Sequence, residues 1–208
     1  MKSIIIALLI VSPSGSLVAG SNYQEKLDSS IKKLRNLSSD SIISESFYFV
    51  MTDSVFPDWM GTKWDFNGIS NVPSKGMIAC GYFVSTTLKH VGFNLNRYRL
   101  AQQAASKVID VLCGENKMKS VLEADIIQKL KGRGNNRLYV VGLDYHVGFL
   151  ALENDSVYFI HSDYFNGKVV CEKASESISF SSTNAYVYGE LTNNPLLFTR
   201  WKNGIKIY

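Results

Sequence analysis

HVGFLALENDSVYFIHSD, residues 146–163, decides the fold of this chain. Two apolar runs flank Asn154-Asp155, a dipeptide suited to a tight turn between antiparallel strands. With those two residues as the loop, Glu153 faces Ser156, Gly148 faces His161 and His146 faces Asp163. Side chains alternate with period two, so His146, His161 and Asp163 share one face with Leu150, Leu152, Val157 and Phe159. That face is expected to be the one a helix covers. Two imidazoles and a carboxylate at the end of an apolar face require partners, because buried polar groups left unpaired are costly. A register slip of one residue would reverse the arrangement.

A second stretch, GMIACGYFVSTTLKHVG at 76–92, supplies the helix. Apolar residues at Tyr82, Phe83, Val84, Leu88 and Val91 predict one buried face, begun at Cys80 and stopped by Gly92. Partial positive charge at a helix N-terminus is expected to lower the Cys80 thiol pKa. An imidazole from the hairpin can then hold the proton and return it to a leaving group. Cys80 alone would read as a small buried hydrophobe, and His146 alone as a core histidine. Their joint occurrence points to a thiol nucleophile and its base. His90, near the end of the same helix, is expected to be exposed and without a role.

Around these stretches the sequence reads as helices first and strands second. Asn22–Leu37 and a segment opening near Ser38 or Asp40 predict helices. Phe56–Ser74 reads as a long loop, and Tyr98–Leu112 and Ser120–Lys131 predict helices of an insert at about 97–136. Six short β-branched or aromatic runs follow, so the class is α+β, with residues 21–208 forming one domain. The chain has 208 residues, 46% of them hydrophobic, enough for one sizeable core. Its net charge of +4 comes without a dense Lys/Arg block, which argues against nucleic acid as a partner.

Residues 1–20 read as a secretory leader: Lys2, the apolar run Ile4–Val11, then small residues ending at Ala19 or Gly20. A secreted or periplasmic protein is expected, with no stable membrane anchor once the leader is removed. Of the three cysteines, Cys113 and Cys171 could be bridged with Cys80 free, or all three could be free. The spacing shows no zinc pattern, and no metal or cofactor is implied.

GTKWDFNGIS at 61–70, GMIACGYFV at 76–84 and HVGFLALENDSVYFIHS at 146–162 together resemble the NlpC-type cell-wall peptidases. The resemblance covers about half of the chain. It implies a papain-like core, a nucleophile helix packed on an antiparallel sheet, here with extra N-terminal and inserted helices. Carried over, the nucleophile is Cys80, the base His146 and the orienting third residue His161. Asp163, directly opposite His146 in the register, is the rival third residue. Trp64 stands where that family has a tyrosine near the oxyanion, and Ala79 where it has an aspartate. The implied activity is hydrolysis of an amide bond in peptidoglycan stem peptides through a thioester, by a protein expected to act as a monomer. Two alternatives stand beside it. One is another thiol acyl-transferase or amidase on the same scaffold, acting on a lipid, protein or toxin-type substrate. The other is a non-catalytic wall-binding module using Trp59, Trp64, Phe66 and Tyr82 as a recognition patch.

Overall fold

The structure, a computed structural model, describes residues 19–208; the leader reading falls almost wholly on residues outside that range. Helix α1 (Ala19–Arg35) is followed by α2 (Asp40–Val50), a π-helical turn (Met51–Val55) and the short α3 (Phe56–Trp59). Then come α4 (Cys80–His90), α5 (Arg97–Ala101), α6 (Ala105–Cys113), strand β1 (Lys117–Ser120) and α7 (Glu123–Lys131). The remainder is β2 (Arg137–Gly142), β3 (Val147–Glu153), β4 (Ser156–Asp163), β5 (Lys168–Lys173), α8 (Ile178–Ser181), β6 (Tyr186–Glu190) and α9 (Pro195–Lys202). The strands form one antiparallel sheet in the order β1-β6-β2-β3-β4-β5, so the class is α+β. No helix among the described residues is long and apolar enough to cross a membrane.

The β3–β4 hairpin has the register read from the sequence, from Phe149↔Ile160 to Glu153↔Ser156. Its turn residues Asn154 and Asp155 have φ of 48° and 60°. Two consecutive left-handed residues match the right-handed twist of paired strands, and Asn and Asp tolerate that conformation better than other side chains.

The helix does not cover the face expected. Phe149, Ala151 and Ile160 join Phe83, Val84 and Leu88 of α4 in the larger core. The rings of Phe83 and Phe149 stand 5.9 Å apart. The other face, with Leu150, Leu152, Val157 and Phe159, is covered by Ile126 and Leu130 of α7 and by Phe180. Both faces of β3 are therefore buried, and alternation alone could not say which helix covers which.

The 97–136 insert is not wholly helical. Its first helix breaks between Ala101 and Ala105, because the two halves dock on different partners. α5 rests on the head of α4, where a Cβ at Gly81 would lie 2.3 Å from the Ala101 carbonyl oxygen. α6 turns onto the sheet at Gly142, where a Cβ would lie 2.8 Å from that of Ala105. Lys117–Ser120 then adds an edge strand beside β6. The 56–74 segment opens with α3 and is held by short bridges, Lys63 to Met77 and Lys168, and Ile69 to Ile78.

Candidate active site

Cys80 is the first residue of α4, and Ala79 caps it with no side-chain hydrogen bond and no acidic residue in the first turn. The approach to Cys80 is fixed from several sides. Ile78 N–H donates to the Lys63 carbonyl and Ala79 N–H to the Gly68 carbonyl, both at 2.9 Å. The Ser162 hydroxyl of β4 donates to the Ile78 carbonyl at 2.6 Å. Gly68 is required by this close approach, since a Cβ there would lie 2.6 Å from the Ile78 nitrogen. Buried Arg97 ties the same loop to α4, donating to the Ile69 and Ser70 carbonyls and to the Thr86 hydroxyl.

The backbone amides of Val147, Gly81 and Cys80 itself lie near the Cys80 sulfur and favour its anion. Val147 is the residue after His146, so the sulfur lies at the end of the sheet, where β3 begins. α4 packs on the face of the sheet that carries Val147, Phe149 and Ala151, while His146 and His161 lie with Phe159.

His146 is buried, and its Nε2 stands 2.8 Å from His161 Nδ1. The other nitrogen of fully buried His161, Nε2, stands 3.2 Å from Glu172 Oε1 on β5. The His161 ring stacks on Phe159 at 3.9 Å, which fixes its plane. Asp163 Oδ1 is 3.7 Å from His161 Nδ1, beyond a hydrogen bond. Its carboxylate is occupied instead by the Ser179 hydroxyl and by both the backbone and side-chain N–H of Asn166. His146 and His161 are therefore brought together, with Asp163 alongside but turned to the loop that follows it, and the Cys80 sulfur lies near the amide of Val147, the residue after His146. No trio of His, Cys, Asp and Glu side chains among the described residues is grouped to hold a metal ion.

Trp64 is half-buried; its backbone N–H donates to the Gly167 carbonyl at 2.8 Å. Its ring lies 6.1 Å from Tyr164, whose ring is 6.5 Å from His146, so Trp64 belongs to the wall of the site. Phe66, Tyr145 and Phe165, near Trp64, His146 and Tyr164 along the chain, are exposed. His90 is half-buried and hydrogen-bonded to the Tyr23 hydroxyl and to Asn71, not exposed as expected. All three cysteines are free; Cys113 is buried in the core and Cys171 is exposed.

The electrostatics depart from expectation at the sulfur. Burial raises the Cys80 thiol above its ordinary value and outweighs the three amides, which act in the opposite direction. His146 is pushed down to about 3, by burial first and by His161 second, with Asp163 acting upward. Both shifts favour the neutral forms, thiol and imidazole.

Glu172 is the residue that the sequence reading missed. Asn166-Gly167 was the available signal: a turn there sets Asp163 opposite Lys168, and Glu172 then falls beside His161 on the same face. A polar cavity of about 360 Å³ lies at the other end of the sheet, around Glu45, Asn136, Arg137 and Asn194. Arg137 is paired there with Glu190.

The chain matches no protein-family model, no curated protein and no solved structure.

Proposed function

We propose that this chain is a papain-like cysteine hydrolase that cleaves amide bonds in peptidoglycan stem peptides. One observation carries the chemistry: His146, backed by His161 at 2.8 Å, immediately precedes the amide that lies near the Cys80 sulfur at the head of α4. The substrate class rests on the resemblance of the segments around Cys80 and His146 to cell-wall peptidases, together with a leader-like N-terminus. Cys80 attacks the carbonyl carbon while His146 takes the thiol proton. The tetrahedral oxyanion receives the Cys80 backbone N–H. His146 returns the proton to the departing amine, and water then cleaves the thioester. Digestion of purified sacculi, with mass analysis of the soluble products, tests the reading.

The geometry favours His161 over Asp163 as the third residue. His161→Ala is expected to lose about 100-fold or more in turnover, and Asp163→Ala less than tenfold, because Asp163 reaches His146 only through its field. An inactive Asp163→Ala beside a near-normal His161→Ala reverses the assignment.

One observation favours a second reading. The exposed rings of Phe66, Tyr145 and Phe165 suit an apolar acyl substrate on the same thiol. Under that reading a covalent acyl adduct forms on Cys80 while sacculi stay intact.

A further inference from the structure

We infer that Glu172 is a positioning residue that fixes the tautomers of both histidines and so leaves Nδ1 of His146 as the base. The inference rests on the proposed roles of Cys80 and His146. Three nitrogens and one carboxylate form a single chain: Glu172 Oε1 to His161 Nε2 at 3.2 Å, then His161 Nδ1 to His146 Nε2 at 2.8 Å. A neutral imidazole carries one N–H and one lone pair, so the orientation of the first link sets every later one. An ionised Glu172 only accepts, so His161 must carry its proton on Nε2. His161 Nδ1 is then an acceptor and takes the N–H of His146 Nε2. The lone pair of His146 is left on Nδ1, the nitrogen that His161 does not use; His146 directly precedes Val147, whose amide lies near the Cys80 sulfur.

The opposite polarity would disable the site. With the proton on His161 Nδ1, His146 Nε2 becomes the acceptor and Nδ1 carries the N–H, leaving no base for the thiol. Asp163, 3.7 Å from His161 Nδ1, pulls toward that arrangement. Its oxygens are engaged by Ser179 and Asn166 instead. Glu172 is the nearer carboxylate, a quarter exposed on its side chain, while His161 is fully buried. Burial makes the direct hydrogen bond count for more than the competing field. In keeping with this, the hydrogen bond from His161 is the main influence holding the Glu172 carboxyl below the usual range.

The test uses the full chain labelled with ¹⁵N-histidine. Long-range ¹H–¹⁵N correlation of the resting protein is expected to show Nε2–H tautomers for both His146 and His161. In Glu172→Ala both are expected to shift toward Nδ1–H. Alkylation of Cys80, read by peptide mass mapping, and kcat are expected to fall about 10–100-fold, with KM within twofold. Glu172→Gln, which keeps an acceptor oxygen, is expected to recover part of both rates. An Nδ1–H tautomer of His161 in the wild type overturns the inference, and that measurement stands even if Glu172→Ala does not fold. Unchanged tautomers and alkylation in a folded Glu172→Ala also overturn it. Intact sacculi would count against the proposed substrate alone, since neither the tautomers nor the alkylation depends on it.

Discussion

Cys80→Ala is expected to abolish release of peptide fragments from sacculi, with at least about a 10³-fold loss, while the protein stays folded. The size follows from the role: without a nucleophile no thioester forms, and the histidines behind it have nothing to activate. The fold should be spared, because a single sulfur is removed at the head of α4 and a good helix former takes its place. Mass analysis of the soluble fraction, run beside circular dichroism, separates the two effects. Fragment release by Cys80→Ala at the wild-type rate would remove the sulfur from the chemistry.

Gly148→Ala is expected to damage stability and activity together. A Cβ at this position would lie 2.6 Å from the Phe159 ring, 2.9 Å from the His161 Cβ and 2.9 Å from the Ile160 carbonyl oxygen. The Phe159 ring is also the surface on which His161 stacks. Relief of the clash must push one or both away from β3. Overpacking of this kind costs about 2–3 kcal/mol, which in a chain of this size lowers Tm by about 5–10 °C. Displacing His161 by a fraction of an ångström loosens its 2.8 Å contact with His146, and turnover is expected to fall tenfold or more. A Tm and a turnover both unchanged would mean that the hairpin is less tightly closed at this point than the contacts indicate.

The hairpin was the most legible part of the chain because its information is local. Asn154-Asp155 sets the turn, the turn sets the register, and the register places His146, Gly148 and His161 without knowledge of any other element. The head of α4 was legible for the same reason, from the glycine-bearing turn before Cys80 and the apolar spacing after it. What depended on packing was not. β3 is buried on both sides, so its pattern carries no mark of which face meets α4. The break at Gln102–Ala104 arises where α5 meets Gly81 and α6 meets Gly142, contacts that helix periodicity does not encode. The edge strand Lys117–Ser120 is too short and too charged to announce itself, as protected edges often are. At the sulfur, the helix terminus suggested a lowered thiol pKa. Burial, a property of the assembled site, acts the other way and prevails.

The pairing of Cys80 with His146 is tested most directly by the rate of Cys80 alkylation from pH 5 to pH 10, mapped by mass spectrometry in the wild type and in His146→Ala. His146 is pushed down to about 3, so it stays neutral and able to take the thiol proton over this whole range. The wild-type profile is therefore expected to show no step near pH 6.5 and to exceed that of His146→Ala by about tenfold or more at pH 7. The two profiles should converge where hydroxide removes the thiol proton without help. Profiles that superimpose from pH 5 upward would show that the sulfur and the imidazole do not share a proton.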